Sequence, residues 1–179
     1  MFELKNVVIG YHSTKKAPPI NATLLPGPIC FLFGANGSGK TSLLKTLAGI
    51  LPPKEGEVLF SNQKITANLP LAERPAYLPS QTEFSEFLTA EEVLDIAQFQ
   101  KNRWTDSTHL EKLALTPLLQ RPASQLSSGE QKRLMIAATL SHPSPTVLLD
   151  EPLNALDWNF QFQLKEILEL QIINGRNFV

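Results

Sequence analysis

Residues Gly34-Ala35-Asn36-Gly37-Ser38-Gly39-Lys40-Thr41 follow the pattern of a glycine, four further residues and Gly-Lys-Thr. That composition suits a phosphate. Glycines let the backbone curl so that its N–H groups line an anion nest. The helix that follows adds its positive end, worth about 0.3–2 kcal/mol toward an anion. Lys40 can reach the β- and γ-phosphates of a nucleotide, and the Thr41 hydroxyl can ligate Mg²⁺. Ser42 follows directly and completes the candidate nucleotide contacts. A chance match in a chain this long is about 1%, which weighs against a glycine-rich turn without a ligand.

A second chemical grouping is Val147-Leu148-Leu149-Asp150-Glu151-Pro152. An apolar strand here delivers two adjacent carboxylates at its C-terminal end, where α/β sheets place their ligands. Mg²⁺ prefers octahedral oxygen coordination and keeps several waters, so one carboxylate is enough to hold it. Asp150 is the candidate for that role. Glu151 can then orient an attacking water and accept its proton. Alone, the pair also fits a solvated acidic loop. Placed after a phosphate loop, it describes a nucleoside-triphosphate hydrolase.

Elements must exist to carry these groups. Ile29-Cys30-Phe31-Leu32-Phe33 is an unbroken apolar run after the Pro26-Gly27-Pro28 turn signal, and it predicts a strand buried on both faces of a parallel sheet. Thr41 to Ile50 has helical spacing, with Leu43, Leu44, Leu47 and Ile50 as its apolar positions. Phe2 to Ile9 reads as a half-buried strand, Gly56 to Phe60 as a short strand, and Thr146 to Leu149 as a second buried strand. Thr89-Ala90-Glu91-Glu92 is a capping box that opens a helix. Further helices are expected near His109 to Leu119 and from Ser128 to Leu140. A last helix, with Phe160, Leu164, Ile167, Leu168 and Ile172 as apolar positions, ends at Asn174-Gly175. Asn177-Phe178-Val179 then begins a strand. Residues 84 to 140 therefore form a helical insert between two α/β segments.

Composition narrows the class. The 179 residues are enough for one domain, and 42% are hydrophobic against 18% charged, which supports a core and argues against disorder. Sixteen Lys and Arg against seventeen Asp and Glu leave a net charge of -1. No nucleic acid is expected as a partner, because neither an excess nor a run of basic residues is present. One cysteine, Cys30, excludes an internal disulfide and a multi-cysteine metal site, and suits a reducing compartment. No signal peptide is expected at the start of the chain. No apolar run approaches the roughly 20 residues of a membrane span, so any membrane role passes through a partner.

Leu126-Ser127-Ser128-Gly129-Glu130-Gln131-Lys132-Arg133 lies between the two groupings. In physical terms it is a serine hydroxyl and a glycine N–H at the start of a helix, a second anion site. It resembles the Leu-Ser-Gly-Gly-Gln signature of ATP-binding cassette (ABC) ATPases, with Ser128 in place of the first glycine and Glu130 in place of the glutamine. The resemblance implies an α/β fold: a P-loop NTPase (RecA-like) core with a mostly parallel sheet, an antiparallel β edge and an inserted helical subdomain. It implies one nucleotide-binding domain, its core formed by 1–83 and 141–179 and incomplete at the C-terminal end. It also implies ATP and Mg²⁺ as cofactors. A second copy of the chain would join head to tail, so that Ser127, Ser128, Gly129 and Glu130 of each close on ATP held by the other.

Further matches follow from the same resemblance. Asp157, in Leu153-Asn154-Ala155-Leu156-Asp157, looks like the D-loop aspartate that joins the two sites. Gln81, in Tyr77-Leu78-Pro79-Ser80-Gln81, looks like the glutamine that senses metal and attacking water. Tyr11 looks like the aromatic that stacks on adenine. Lys40, Gln81 and Glu151 are then the catalytic set, and Thr41, Gln81 and Asp150 the metal set. Lys132 and Arg133 are expected on a solvated helix face, and Trp104 and Trp158 in packing. The family's switch histidine has no counterpart by order, since His12, His109 and His142 all precede Asp150.

The resulting expectation is an ATP-hydrolysing subunit that powers a transporter through separate integral membrane permease subunits. It would sit peripherally at the cytoplasmic face of the inner or plasma membrane. Leu88-Thr89-Ala90-Glu91-Glu92 looks like small export-type cassettes, including haem-exporter subunits. The signature and Asn154 to Asp157 look equally like metal-chelate importers. The alternatives are a non-transport ABC ATPase on DNA or ribosomes, and a nucleotide-binding regulatory module without turnover.

Overall fold

The computed structural model describes residues 1–10, 18–25, 27–66, 68–97 and 107–179. Tyr11, His12 and Trp104 lie outside the described residues. The chain forms two compact units. One comprises Met1–Tyr77, Ser144–Asp150 and Asn177–Val179, and the other Leu78–Pro143 and Glu151–Arg176.

The first unit carries a four-stranded antiparallel sheet in the order β2-β1-β3-β4. Its strands are β1 (Phe2–Val8), β2 (Ile20–Leu24), β3 (Glu55–Phe60) and β4 (Gln63–Lys64). β3 and β4 are joined by Ser61-Asn62, both at positive φ, the conformation that matches strand twist in two-residue hairpins. In β1, Phe2 and Leu4 face the core, then Val7 and Val8 are buried. The face changes because the ladder to both neighbours slips past Lys5. Asn6 sits there at φ 51 and exchanges hydrogen bonds with Asn21. Gly56 lies against this bulge: a Cβ on it would stand 2.3 Å from the carbonyl oxygens of Lys5 and Asn6.

The helix α1 (Lys40–Leu47) packs Leu44 and Leu47 against Phe2, Leu4, Val7, Val58, Phe60, Ile65 and Leu148. A second sheet orders β5 (Ala76–Leu78), β6 (Thr146–Leu149) and β7 (Asn177–Phe178). β6 and β7 are parallel, and Val147 and Leu148 are completely buried, as expected of a strand covered on both faces.

Ile29 to Phe33 departs from expectation. Ile29 makes one parallel bridge to Phe178, flanked by Cys30 N to Phe178 O at 2.8 Å and Phe178 N to Pro28 O at 3.0 Å. Phe31 and Phe33 are 72% and 87% exposed. Strand character depends on a neighbour, and among the described residues this run bridges one only at Ile29.

The second unit contains α2 (Ala90–Ala97), α3 (Ser107–Lys112), α4 (Ser128–Leu140) and α5 (Trp158–Ile173). The Thr89 capping box forms: Thr89 N donates to Glu92 Oε2 at 2.8 Å, and Glu92 N to Thr89 Oγ1 at 3.2 Å. The region expected as one helix near 109–119 divides into α3 and a 3-10 turn over Thr116–Leu118, consistent with Pro117 fixing the turn's geometry. α5 stops at Gly175 (φ 85), whose N–H bonds Ile172 O at 2.9 Å, while Arg176 N bonds Gln171 O at 3.0 Å.

α4 is buried around most of its circumference, and this overturns the expectation for its two basic residues. Lys132 is 4% and Arg133 9% exposed. The Arg133 guanidinium donates to Leu113 O at 2.7 Å and stacks 3.9 Å from the Phe160 ring centroid. The Lys132 ammonium donates to Pro79 O at 2.9 Å and Ser80 O at 3.4 Å. Each cation can be buried because carbonyls and a ring face replace its water. Arg176 treats the end of α4 likewise, donating to Leu140 O at 2.6 Å and to His142 O. Trp158 also departs from expectation: it is 84% exposed at the first turn of α5. Among the described residues, no helix is long and apolar enough to cross a membrane.

Candidate nucleotide and metal site

The first unit assembles the phosphate loop and the metal candidates. Gly37 and Gly39 have φ of 77 and 96, a region that side chains resist, so glycine is required at both. Gly34 is needed for a different reason. A Cβ there would stand 2.7 Å from Ser38 Oγ. Gly39 is the N-cap of α1 and, being glycine, offers no side chain to cap the first N–H groups of that helix. Those donors therefore face no internal acceptor from a cap, the condition under which a helix start takes an anion.

Lys40 folds back over the loop, its Nζ donating to Gly34 O at 2.8 Å and Ala35 O at 3.0 Å. An ammonium has three N–H bonds, so this arrangement braces the loop and retains a donor for phosphate. Ala35, Asn36, Gly37 and Ser38 are exposed, and Ser42 follows in the first turn of α1.

Asp150 stands at the end of β6 and is 3% exposed. Thr41 Oγ1 donates to its Oδ1 at 3.2 Å across a sequence separation of 109 residues. Tyr77 Oη donates to its Oδ2 at 3.2 Å. Both carboxylate oxygens are thus held, one by the hydroxyl that the sequence pairs with it. The donor set fits Mg²⁺, a hard cation taking one or two protein oxygens, with phosphate and water filling the remainder. Among the described residues, no group of three or more His, Cys, Asp or Glu could form an all-protein metal cage. Sequence reasoning used Tyr77 only as context for Gln81. The sequence carries no local signal for this contact, because it arises from β5 lying beside β6.

Replacing Tyr77 with Phe removes one donor to a buried carboxylate and leaves the ring in place. Hydrogen bonds to charged groups are worth about 1.5–3 kcal/mol. The Mg²⁺ concentration giving half-maximal ATP hydrolysis should shift by about 10- to 100-fold at unchanged protein fold, read by a Mg²⁺ titration at saturating ATP. An unaltered Mg²⁺ dependence would show that the phenol does not set the carboxylate.

The second unit gathers the signature. Ser127 caps α4 in a reciprocal box: its N–H and Oγ donate to Glu130 Oε2 at 2.7 and 2.8 Å, and Glu130 N approaches Ser127 Oγ at 3.4 Å. The Ser127 N–H, then its hydroxyl, hold the Glu130 carboxyl below the usual carboxylate range, with Arg121 and Arg133 adding to the effect. Arg121 Nη1 stands 3.8 Å from Glu130 Oε1. Ser128 is exposed on the first turn. Gly129 is tied to the next loop, because a Cβ there would lie 3.0 Å from Ala155 O.

Glu151 adopts φ 49, a left-handed backbone, and is exposed; Asn154 Nδ2 donates to its Oε2 at 2.5 Å. Asn154 was not selected from the sequence for this contact. Asp157 is the N-cap of α5, its Oδ1 accepting from Phe160 N at 3.0 Å. Gln81 is exposed, directly after the two carbonyls that Lys132 holds.

The sequence profile of the ABC transporter family matches residues 18–154. The chain belongs to the ABC transporter family. A cytochrome c biogenesis ATP-binding export protein of Bordetella bronchiseptica is 36% identical over 162 residues, covering 88% of this chain and 72% of that protein. A petrobactin import ATP-binding protein of Bacillus anthracis is 29% identical over 190 residues, covering 99% and 70%. Among solved structures, a dimeric ATP-binding cassette in a post-hydrolysis state, bound to ADP and Pi, superposes with a TM-score of 0.79 at 25% identity, covering 100% of this chain and 86% of that one. This ABC protein is an ATP-binding, ATP-hydrolysing subunit that powers transport.

Proposed function

We propose that two copies of this ABC subunit close head to tail around two Mg-ATP and that their hydrolysis drives separate permease subunits in a membrane. The observation that carries this reading is the 3.2 Å contact between Thr41 and Asp150, which joins the phosphate loop to the carboxylate at the end of β6. When bound, Mg²⁺ neutralises phosphate charge and orients the terminal phosphate for displacement.

The protein groups divide the remaining tasks. Gly34 to Gly39 offer backbone N–H groups to the phosphates, and Lys40 adds a cation. Thr41 and Asp150 hold the metal. Glu151 takes the proton of the attacking water, and Gln81 senses that water and the metal. Ser127 and Gly129 present a hydroxyl and an N–H at the start of α4 to the ATP of the second copy, with Ser128 and Glu130 beside them. Asp157 joins the two sites across the pair. The dimeric cassette structure supports the self-association.

Phe87 and Ile96, 91% and 68% exposed in the helical unit, supply apolar surface for a permease. The location that follows is peripheral, at the cytoplasmic face of the inner or plasma membrane. Export and import are both represented among the relatives. Size-exclusion chromatography with and without Mg-ATP tests the pairing: a shift from monomer to dimer that EDTA reverses is expected. A chain that stays monomeric at saturating nucleotide contradicts it.

A further inference from the structure

Lys132 is a buried cation that none of the roles above uses. It is 4% exposed, in the second turn of α4, the helix that Ser127 caps. An ammonium loses its hydration at such a site and is tolerated only where acceptors replace the water. Two of its acceptors are Pro79 O at 2.9 Å and Ser80 O at 3.4 Å. These carbonyls stand on either side of Ser80. The second belongs to the peptide bond that leads into Gln81.

The ammonium therefore grips the backbone on the N-terminal side of the glutamine. On its other side, Thr82 Oγ1 is buried without a hydrogen-bond partner, so that side chain contributes no hydrogen-bonded anchor. Gln81 itself is exposed and so is not fixed by burial.

We propose that Lys132 is a positioning residue: by pinning the Pro79 and Ser80 carbonyls to α4, it sets where Gln81 stands and ties that position to the helix bearing the signature. This rests on the role given to Gln81 above. It adds a route by which phosphate docking at the start of α4 is felt at the glutamine, through one side chain and two backbone bonds.

The test compares Lys132→Met, which keeps length and removes the donors, with Lys132→Arg, which keeps a cation. Hydrogen exchange on the full chain should show the Gln81 and Thr82 amides exchanging at least tenfold faster in Lys132→Met, with Lys132→Arg close to the parent. In ATP hydrolysis, Lys132→Met should lower kcat about tenfold at unchanged KM. In a Gln81→Ala background the same change should cost less than twofold, because the residue it acts through is already gone.

Exchange and kcat within twofold of the parent would overturn the proposal. So would a Lys132→Met loss that multiplies fully with Gln81→Ala, the mark of a merely structural role. If Gln81→Ala alone retains full kcat, the role of Gln81 fails and the proposal falls with it. That result is distinct from a failed clamp, in which Gln81→Ala is impaired and Lys132→Met is not. Should Lys132→Met not fold, Lys132→Gln, with an N–H donor on a shorter arm, is judged by the same two readouts.

Discussion

Glu151→Gln should reduce kcat for ATP hydrolysis by about 100- to 1,000-fold while leaving ATP affinity within about twofold, since general-base catalysis contributes 10²–10⁴. Glutamine has the same shape and can still accept from Asn154 Nδ2, which stands 2.5 Å from Glu151 Oε2. What it loses is the capacity to take a proton. The carboxylate is presented by an unusual backbone, φ 49, which for a residue with a Cβ carries a cost of about 1 kcal/mol or more. The substitution leaves that conformation untouched, because neither side chain differs at Cβ. ATP-bound dimers should therefore accumulate in the variant, visible by size exclusion alongside a single-turnover assay. Full activity in Glu151→Gln would place the base elsewhere.

Lys40→Ala should weaken ATP binding by about 10- to 100-fold, from the loss of a charge-assisted contact worth about 1.5–3 kcal/mol. Isothermal titration with Mg-ATP measures it. Two causes are expected: the proposed cation partner of the phosphates is removed, and the carbonyls of Gly34 and Ala35 lose the donor that braces the loop. The second cause implies that the glycine loop also loosens without nucleotide, so hydrogen exchange at 34–38 should rise in the free variant. Affinity within twofold of the parent would mean that the backbone N–H groups and α1 alone hold the triphosphate.

Features whose signal is local were legible in the chain. The phosphate loop needs glycine at Gly37 and Gly39 because φ is positive there, and that demand is written into the residue types. The capping boxes at Thr89 and Ser127 are likewise spelled out within four residues, and both form. Residue type alone places Thr41 and Asp150 in one metal set; that their side chains meet at 3.2 Å across 109 residues is a finding of the fold.

Features that depend on what lies alongside were not legible. Ile29 to Phe33 has the composition of a buried strand, yet Phe31 and Phe33 stand exposed because, among the described residues, only Ile29 bridges a neighbouring strand. Lys132 and Arg133 read as a wetted face because charge usually marks solvent, and they turned inward because carbonyls and an aromatic ring met them there. Tyr77 gained its meaning from Asp150, 73 residues away.

The linear order of residue types thus set the expected chemistry, a phosphate cradle, a metal carboxylate and a base, and determined the serine-capped helix that forms. Tertiary structure alone decided which cations are buried and which backbone they hold. Local motifs are set by the conformational limits of a few adjacent residues. Burial is a property of contacts between segments distant along the chain, and no short stretch encodes it.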